Sequence, residues 1–312
     1  MINSTVPSLA QTGAVVITFN PDNDFGLNLT AASHQLDKII VVDNGSQESS
    51  LNRIKDCVSQ HTNVILIDNK NNLGIAKALN IGCQYLLERD TSFALMLDQD
   101  SLVTDGMVAS LYNTISSLNS CAVISPKILA KDNDNNLDTI PSRYMVPSNG
   151  LFYKKSSVEK EPLRVLFNIT SGSLIDLTIW NKIGKFQEDY FIEGVDNEYG
   201  LRANSLGYSV VIDNNASLVQ QYGNQQVKRL FGKNFFPTFH SPLRHYYVSR
   251  NRLFIWNKYY KKYPYYLTWD LLSFFNTLFL ILAFEDNKYQ KIKHIGRGIL
   301  DAFRGKKGKY DV

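Results

Sequence analysis

Four short apolar runs stand out in the first hundred residues, the first three rich in β-branched side chains and all four followed by polar ones. They cover residues 13–19, 38–42, 63–67 and 93–97. Nearly continuous hydrophobicity of this kind is typical of parallel strands that are buried on both faces. The segments between the runs have helical periodicity, most clearly from 74 to 89. The pattern therefore predicts repeated βα units and a doubly wound α/β sheet.

Each apolar run ends in polar residues. The ends carry Thr18 and Asn20, then residues 43–46, then residues 68–72, and then Asp98, Gln99 and Asp100. In open parallel sheets ligands bind at the carboxyl ends of the strands. Polar residues also end strands and cap helices routinely, so one such turn alone would indicate little. Four in succession predict a composite pocket.

The turns exclude two common nucleotide sites. The first strand is followed by Asn20-Pro-Asp-Asn-Asp-Phe-Gly26 rather than a Gly-x-Gly-x-x-Gly loop, and no Gly-x-x-x-x-Gly-Lys-Ser/Thr loop is present. Asp98 and Asp100 lie two residues apart, so on an extended chain they point to the same side. A divalent cation held there, aided by Lys77, would neutralise a diphosphate. This chemistry predicts a nucleotide-sugar site.

The composition is that of an ordinary globular protein. The chain has 312 residues, of which 44% are hydrophobic and 20% charged, enough for one large domain and an extension. The net charge is only +4 and basic residues crowd after Lys288, so nucleic acid is not an expected partner. Three cysteines without metal-ligand spacing predict a reducing, cytosolic compartment. Residues 1–11 lack the features of a signal peptide.

Several short motifs, taken together, carry a family resemblance. They are Ile17-Thr-Phe-Asn-Pro21, Val41-Val-Asp-Asn-Gly-Ser46, Asn71-Asn-Leu-Gly-Ile-Ala-Lys-Ala-Leu-Asn80, Leu97-Asp-Gln-Asp-Ser101, Ser171-Gly-Ser-Leu-Ile175 and Ser241-Pro-Leu-Arg-His-Tyr-Tyr-Val-Ser-Arg-Asn251. The set resembles bacterial family 2 glycosyltransferases, and within them the rhamnosyltransferases of O-antigen and capsule assembly. The resemblance implies a GT-A fold, a Rossmann-like mixed α/β sheet flanked by helices. It also implies a nucleotide-sugar half at 12–105 and an acceptor half at 106–255.

The resemblance implies roles for the residues at the strand ends. Thr18 and Asn20 would line the nucleotide site, and Asp43 would accept a hydrogen bond from the pyrimidine base. Such a charge-assisted bond is strong in a partly desolvated pocket. Lys77 would lie near the ribose or the diphosphate. Further substrate-binding residues are expected in the same motifs: Asn72, Gly74 and Gln99.

The expected cofactor is a divalent cation, Mg²⁺ or Mn²⁺. By resemblance, Asp100 binds the metal at the donor diphosphate, and Asp98 holds the ribose or a metal-bound water. The metal acts as a Lewis acid while the nucleoside diphosphate leaves. Many relatives have a histidine at the position of Gln220, and glutamine suits an oxygen-rich Mg²⁺ site better than Mn²⁺. His240 is a candidate for the missing imidazole, with a solvated loop histidine as the alternative.

Acceptor binding is expected in the second half of the chain. Ser171 and Gly172 begin a predicted strand whose small residues allow the backbone to approach a sugar closely. Arg250 is a candidate substrate-binding residue, together with Arg244 and Asn251. These three would lie where their segment could fold over the diphosphate, but they could equally pair with surface carboxylates.

A catalytic base is needed because an acceptor hydroxyl is a poor nucleophile until its proton is removed. Residues 189–207 resemble the acidic motif of the family, which implies that Asp196 is the base and that Glu198, one turn further in, binds substrate. One carboxylate suffices for single displacement with inversion. Glu193 is the alternative base, and Asp196 could instead only favour a helix N-terminus. Val195 departs from the family, which often has an acidic residue there.

Residues 256–312 are predicted to form a helical extension. Residues 263–284 are strongly apolar, but Asp270 interrupts them. An aspartate inside a membrane span costs a few kcal/mol, so a helix on the membrane surface is favoured over a spanning one. Residues 288–309 mix basic and apolar side chains, which is typical of a helix that binds anionic lipid. An ordinary packed helix with a solvated basic face is the alternative.

The resulting prediction is an inverting glycosyltransferase that moves L-rhamnose from dTDP-rhamnose to a hydroxyl of a lipid-linked glycan in O-antigen or capsule synthesis. It would be cytoplasmic and peripherally bound to the inner face of the cytoplasmic membrane, and a homo-oligomer is left open. The alternatives are a UDP-galactofuranose or UDP-hexose donor, or a non-catalytic nucleotide-binding scaffold of the polysaccharide assembly complex. A nucleotidyltransferase is disfavoured because no glycine-rich basic loop follows the first strand.

Overall fold

The computed structural model describes residues 11–131, 137–139, 143–157, 162–220, 227–230 and 232–310. The first part alternates strands and helices: β1 Thr12–Thr18, α1 Phe25–Ser33, β2 Lys38–Asp43, α2 Glu48–Ser59, β3 Val64–Asp68, α3 Ile75–Leu87, β4 Phe93–Asp98, β5 Ser101–Val103 and α4 Met107–Ser117. These bounds confirm the four predicted strands and the helix predicted at 74–89. The prediction that no signal peptide is present concerns residues that lie almost wholly outside the described ones.

The second part is richer in short strands. It contains β6 Cys121–Lys131, β7 Leu137–Thr139, β8 Arg143–Val146, β9 Lys154–Ser157, β10 Leu163–Val165, β11 Leu174–Asp176, α5 Leu177–Ile183, α6 Val195–Ser205, β12 Ser209–Gln220, β13 Lys228–Leu230 and β14 Lys233–Phe235. Three helices end the chain: α7 Pro242–Tyr259, α8 Pro264–Phe284 and α9 Lys288–Phe303.

Within the described residues, one mixed sheet runs in the order β10-β12-β6-β11-β4-β1-β2-β3, as the expected fold class requires. The strands β4, β1, β2 and β3 are parallel, whereas β11 is antiparallel to both β4 and β6. The register places Thr18 opposite Asp43, Asp43 opposite Asp68 and Ile17 opposite Asp98. The polar strand ends therefore meet at one edge of the sheet.

Helices cover both faces of this sheet. Successive residues of a strand point to opposite faces, so Val15 packs in a core layer with α3 while Val16 packs with α1 and α2. Gly82 lets α3 lie close to β1, since a Cβ there would come within 2.3 Å of a Val15 methyl. Both layers are apolar, which explains why the central strands have almost no polar positions.

The last three helices pack on one another and on the sheet domain. Gly298 allows α9 to lie against α7, because a Cβ there would be 2.4 Å from the Tyr246 carbonyl oxygen. Asp270 of α8 accepts hydrogen bonds from Arg252 Nε at 2.6 Å and Trp256 Nε1 at 2.8 Å. The expected boundary between 255 and 256 falls inside α7, and the division into domains remains a prediction.

Candidate active site

The carboxylate of Asp43 lies fully buried at the end of β2. One oxygen accepts from Thr18 Oγ1 at 3.0 Å and from the Ser46 hydroxyl at 2.5 Å. The other accepts from the backbone N–H groups of Gly45 at 3.1 Å and Ser46 at 2.9 Å. An ionised carboxylate has about four lone-pair sites, and these four hydrogen bonds occupy all of them. Contact of Asp43 with a base stays a prediction, and it would require the Ser46 hydroxyl to turn away.

The other polar residues at this edge tie the loops together. Asn20 accepts from the backbone N–H of Gln47 at 2.8 Å, and Gln99 accepts from that of Phe19 at 2.8 Å. Asn72 accepts from the Asn44 Nδ2 at 3.2 Å and from the backbone N–H of Gly74 at 3.0 Å. The loops after β1, β2, β3 and β4 thus form one hydrogen-bonded rim, and the substrate contacts expected of these residues remain predictions.

A cavity of about 420 Å³ opens beyond the carboxyl end of β4. Its polar lining includes residues from several distant parts of the chain: Asp98, Thr170, Ser171, Glu193, Asp196, Gln220 and Arg244. Ser171 is hydrogen-bonded to Asp98 and, through its hydroxyl, to that of Ser101 at 2.6 Å. The cavity therefore combines the carboxylate expected on the donor side with the residue expected to be the base.

The carboxylates of this cavity lie in an environment that disfavours their charge. Burial, reinforced by Asp100 and Asp196, raises the pKa of Asp98 to about 6, although the Ser171 hydrogen bond opposes the shift. Burial, reinforced by Glu193, raises the pKa of Asp196 to about 6. Asp100 lies outside the cavity lining, and burial and Asp22 raise its pKa as well. Strong shifts of several groups in one cleft are typical of functional sites.

This uncompensated negative charge fits a divalent cation at Asp98 and Asp100. Mg²⁺ commonly takes one or two protein carboxylates, with substrate phosphates and water as its other ligands. In the part of the chain that the structure describes, no three His, Cys, Asp or Glu side chains form a complete metal site. Asp98 and Asp100 would be the residues that hold the cation, with a donor diphosphate completing its coordination.

Among the described residues, His240 is not brought together with Asp98 and Asp100, and its role as a metal ligand stays a prediction. Its ring lies 6.0 Å from that of His245 and is not part of the cavity lining. Burial, with Arg244 and His245 nearby, lowers the pKa of His240 to about 4. Gln220, by contrast, lines the cavity together with Asp98.

Arg250 lies inside the protein and outside the cavity lining, and the substrate binding expected of it stays a prediction. It is buried, and its guanidinium donates to the carbonyl oxygens of Gly308 at 2.7 Å and Tyr190 at 3.1 Å. Its neighbour Asn251 donates through Nδ2 to three carbonyls, those of Tyr190 at 3.0 Å, Ile192 at 2.7 Å and Glu193 at 2.8 Å. The two side chains hold the loop that leads into α6 and Asp196.

Glu198 and Lys77 also have structural partners. Glu198 is fully buried and accepts from Arg202 at 2.8 Å, Lys258 at 2.7 Å and Tyr259 at 2.8 Å, so it joins α6 to α7. Its expected contact with substrate stays a prediction. Lys77 forms an ion pair with Glu188 at 2.9 Å. It lies on the side of α3 opposite the cavity-lining Ile75 and Leu79, because two residues turn a helix by about 200°.

Glu193 and Arg244 face each other across the cavity mouth. The Arg244 Nε donates to a Glu193 carboxylate oxygen at 2.5 Å, and about half of the arginine side chain is exposed. The Asp196 carboxylate instead accepts local backbone hydrogen bonds, from Asn197 at 2.8 Å and from its own N–H. Glu193 is thus the less available of the two candidate bases.

Sequence reasoning missed Ile169 and Thr170, which form one wall of the cavity. They directly precede the Ser171 motif, whose small polar residues predicted close approach of a sugar. Extending that predicted segment by two residues towards the N-terminus would have included them. Gly172 has a φ of +77°, and its backbone N–H donates to the Met96 carbonyl at 2.7 Å. This turn brings residues 169–171 back over the end of β4.

Residues 14–184 match the family described as glycosyl transferase family 2. The chain belongs to this family. It is 28% identical over 294 residues to the dTDP-rhamnosyl transferase RfbF of Shigella flexneri, covering 94% of this chain and 95% of the relative. The fold expected from the motifs and the assignment as a glycosyltransferase are thereby confirmed.

Solved structures confirm the fold of this glycosyltransferase. GalNAc-T7, crystallised with UDP, GalNAc and Mn²⁺, aligns with a TM-score of 0.60 and 18% identity over 81% of this chain, which spans only 50% of that protein. The mannosyltransferase PcManGT from Pyrobaculum calidifontis, in complex with GDP-Man and Mn²⁺, aligns with a TM-score of 0.53 and 11% identity over 96% of this chain and 76% of its own. Both neighbours were solved with Mn²⁺.

Proposed function

We propose that this glycosyltransferase is an inverting enzyme that transfers L-rhamnose from dTDP-rhamnose to a hydroxyl of a lipid-linked glycan. The observation that carries the proposal is the cavity of about 420 Å³ that Asp98 and Asp196 share. Ligand pockets of roughly 300–1,000 Å³ bind molecules of this class. The donor is supported by the 28% identity to a dTDP-rhamnosyl transferase over nearly the whole chain.

Asp196 is the proposed base. With a pKa of about 6 it is ionised at neutral pH and still basic enough to accept a proton. It takes the proton of the acceptor hydroxyl as the acceptor oxygen bonds to the anomeric carbon. The bond from that carbon to the diphosphate breaks, and the nucleoside diphosphate leaves with the bonding electrons. Asp98 and Asp100 would hold a divalent cation whose charge stabilises that leaving group.

A lipid-linked acceptor requires access to a membrane, and α8 and α9 have a surface suited to one. Within the described residues, α8 is the helix that is long and apolar enough to cross a membrane, by length and composition alone. The ion pair of Asp270 with Arg252 and the burial of Tyr265 and Tyr266 support a helix packed on the protein and lying at the membrane surface. We propose that the protein is cytoplasmic and bound peripherally to the inner membrane.

The exposed side of α9 combines apolar and basic residues. Tyr289, Ile292, Leu300 and Phe303 recur at helical spacing on the exposed face. Exposed basic residues flank them: Lys288, Lys293, Arg297 and Arg304. Apolar insertion together with attraction to anionic headgroups is how interfacial helices bind membranes.

The reaction is tested with purified protein and dTDP-rhamnose. We expect calorimetry to detect binding that strengthens with Mg²⁺ or Mn²⁺ and weakens with EDTA. Asp196→Asn should lower transfer by about 10²- to 10⁴-fold while leaving donor binding unchanged, and Asp105→Asn, on the surface, is the matched control. Preferred binding of UDP-galactofuranose or a UDP-hexose would replace the donor assignment. Donor binding by the wild type without any transfer would favour the scaffold alternative.

Membrane binding is tested by flotation with vesicles of phosphatidylcholine and phosphatidylglycerol. Phe303→Ser and Lys293→Glu should each reduce the floated fraction. Leu206→Ser replaces an apolar residue that is 56% exposed on the sheet domain, and it serves as the control. Equal flotation of all four proteins would contradict the proposed surface.

A further inference from the structure

A second cavity, of about 140 Å³, lies beside the first. A single buried water needs only about 10–15 Å³, so this space is large enough for part of an organic ligand. Its walls come from the β8–β9 hairpin, the segment 167–169, α6 and α8. The sheet domain and the C-terminal helices therefore build it together.

The second cavity is connected to the proposed base through shared lining residues. Ile169 lines both this cavity and the first one, and Asn168 also lines a small void that Asp196 borders. Asn197, the residue after Asp196, contributes to the second cavity as well. A ligand that extends from the acceptor hydroxyl at Asp196 therefore reaches this space next.

The aromatic wall is rigid. The Trp269 ring of α8 lies 5.8 Å from both the Phe167 and the Tyr266 ring centroids, and Phe167 is 5.7 Å from Tyr266. Phe167 presses on α6 at Gly200, where an added Cβ would be 2.6 Å from the Phe167 Cβ. Large, fixed aromatic faces offer apolar contact area with little loss of entropy on binding.

The polar lining is only partly satisfied. The Nδ2 of Asn168 is buried without a hydrogen-bond partner among the described residues, and buried amides normally have one. The Nδ2 of Asn197 lies 3.4 Å from the Tyr266 hydroxyl, a long contact. Arg143 and Lys155 also line the cavity, and neither forms an ion pair with any described carboxylate. The Lys155 ammonium lies over the Trp269 ring, 5.6 Å from its centroid. The site thus offers the Asn197 amide and two cations that have no carboxylate partner among the described residues.

We infer that the second cavity is an acceptor subsite that binds a sugar ring at the Trp269 wall, with a sugar hydroxyl on Asn197 and an anionic group at Arg143 and Lys155. This inference rests on the proposed glycosyl transfer. The anionic group is either the carboxylate of an acidic sugar or the diphosphate that links a glycan to its lipid. An apolar aromatic wall with a few convergent polar groups is the usual makeup of a small-molecule site.

The test measures ligand binding directly, so it does not depend on the identity of the donor. Saturation-transfer NMR is recorded with three probes: a methyl hexoside, a methyl hexuronide, and a hexose linked through diphosphate to a short citronellyl chain. The proteins are the wild type, Trp269→Phe, Trp269→Ala, Lys155→Gln, and the control Lys154→Gln on the same hairpin. Calorimetric binding of dTDP-rhamnose is measured in parallel for each protein.

Trp269→Ala should weaken binding of all three probes by about tenfold, and Trp269→Phe, which keeps a ring, by less. Lys155→Gln should weaken only anionic probes, by up to about fivefold, and the affected probe identifies the source of the anion. Donor binding should stay unchanged in every variant. The subsite would be overturned if the wild type, Trp269→Ala and Lys155→Gln bound the probes equally. It would also be overturned if the wild type bound no probe, with or without donor. Failure of the wild type to bind dTDP-rhamnose would refute only the proposed donor.

Discussion

Replacing Asn251 with alanine should loosen the loop that carries the proposed base. The Asn251 amide has two N–H hydrogens for the carbonyls of Tyr190, Ile192 and Glu193. The loop has left-handed backbone at Phe191, with a φ of 65°, and at Glu193, with a φ of 68°. Non-glycine residues in that region carry strain of about 1–3 kcal/mol each, and such strain persists only where surrounding contacts hold it.

The size of the effect follows from the lost hydrogen bonds. A net hydrogen bond contributes about 1 kcal/mol, and a buried acceptor left without a donor costs about 1–3 kcal/mol. Counting two bonds, the free energy of opening the loop should fall by about 2–4 kcal/mol in Asn251→Ala. Each 1.4 kcal/mol is a factor of ten, so the open fraction should rise roughly 30- to 700-fold.

Native-state hydrogen exchange measures this opening. The backbone N–H groups of Tyr190, Phe191 and Ile192 are all hydrogen-bonded within the loop, and their exchange should accelerate by the same factor. Transfer activity should fall by about 10²-fold, because a displacement of about 1 Å at the reacting groups has that effect. Donor affinity should not change. Asn257→Ala, at an exposed position of the same helix, is the control. If loop exchange in Asn251→Ala equals that of the control, Asn251 does not hold the loop.

Three further outcomes are expected. Because burial raises the pKa of Asp196 to about 6, kcat/KM should fall about tenfold per pH unit below that value. A kcat/KM that stays constant from pH 7 to 5 would exclude Asp196 as the base. Because the pKa values of both Asp98 and Asp196 are raised, the folded chain binds more protons than the unfolded chain between about pH 4 and 6. Without divalent cations, the free energy of unfolding should therefore decline as the pH rises through that window. Urea unfolding at several pH values measures this decline. Glu198→Ala should lower the free energy of unfolding by about 3–5 kcal/mol, since it leaves Arg202 buried without its carboxylate. An altered donor KM without loss of stability would instead indicate that Glu198 binds substrate.

The sequence by itself determined the parallel half of the sheet and the carboxylates of the site. Strands buried on both faces must be apolar throughout, so β1, β2, β3 and β4 were visible as hydrophobic runs, and their polar ends identified the functional edge. The placement of Asp98 in a cavity with Asp196 also agrees with the motifs. These features depend on local pattern and on the order of the elements.

Only the tertiary structure decided the partners of the charged residues near those motifs. Glu198 meets Lys258 and Tyr259 about 60 positions along the chain, and Arg250 meets the Gly308 carbonyl 58 positions away. A charge that binds substrate and a charge that joins two helices look alike in sequence, since both are polar residues beside a motif. The second cavity was equally hidden, because Trp269 and Phe167 become one wall only after α8 packs on the sheet domain. Burial and long-range pairing are properties of the packed chain, and no local pattern specifies them.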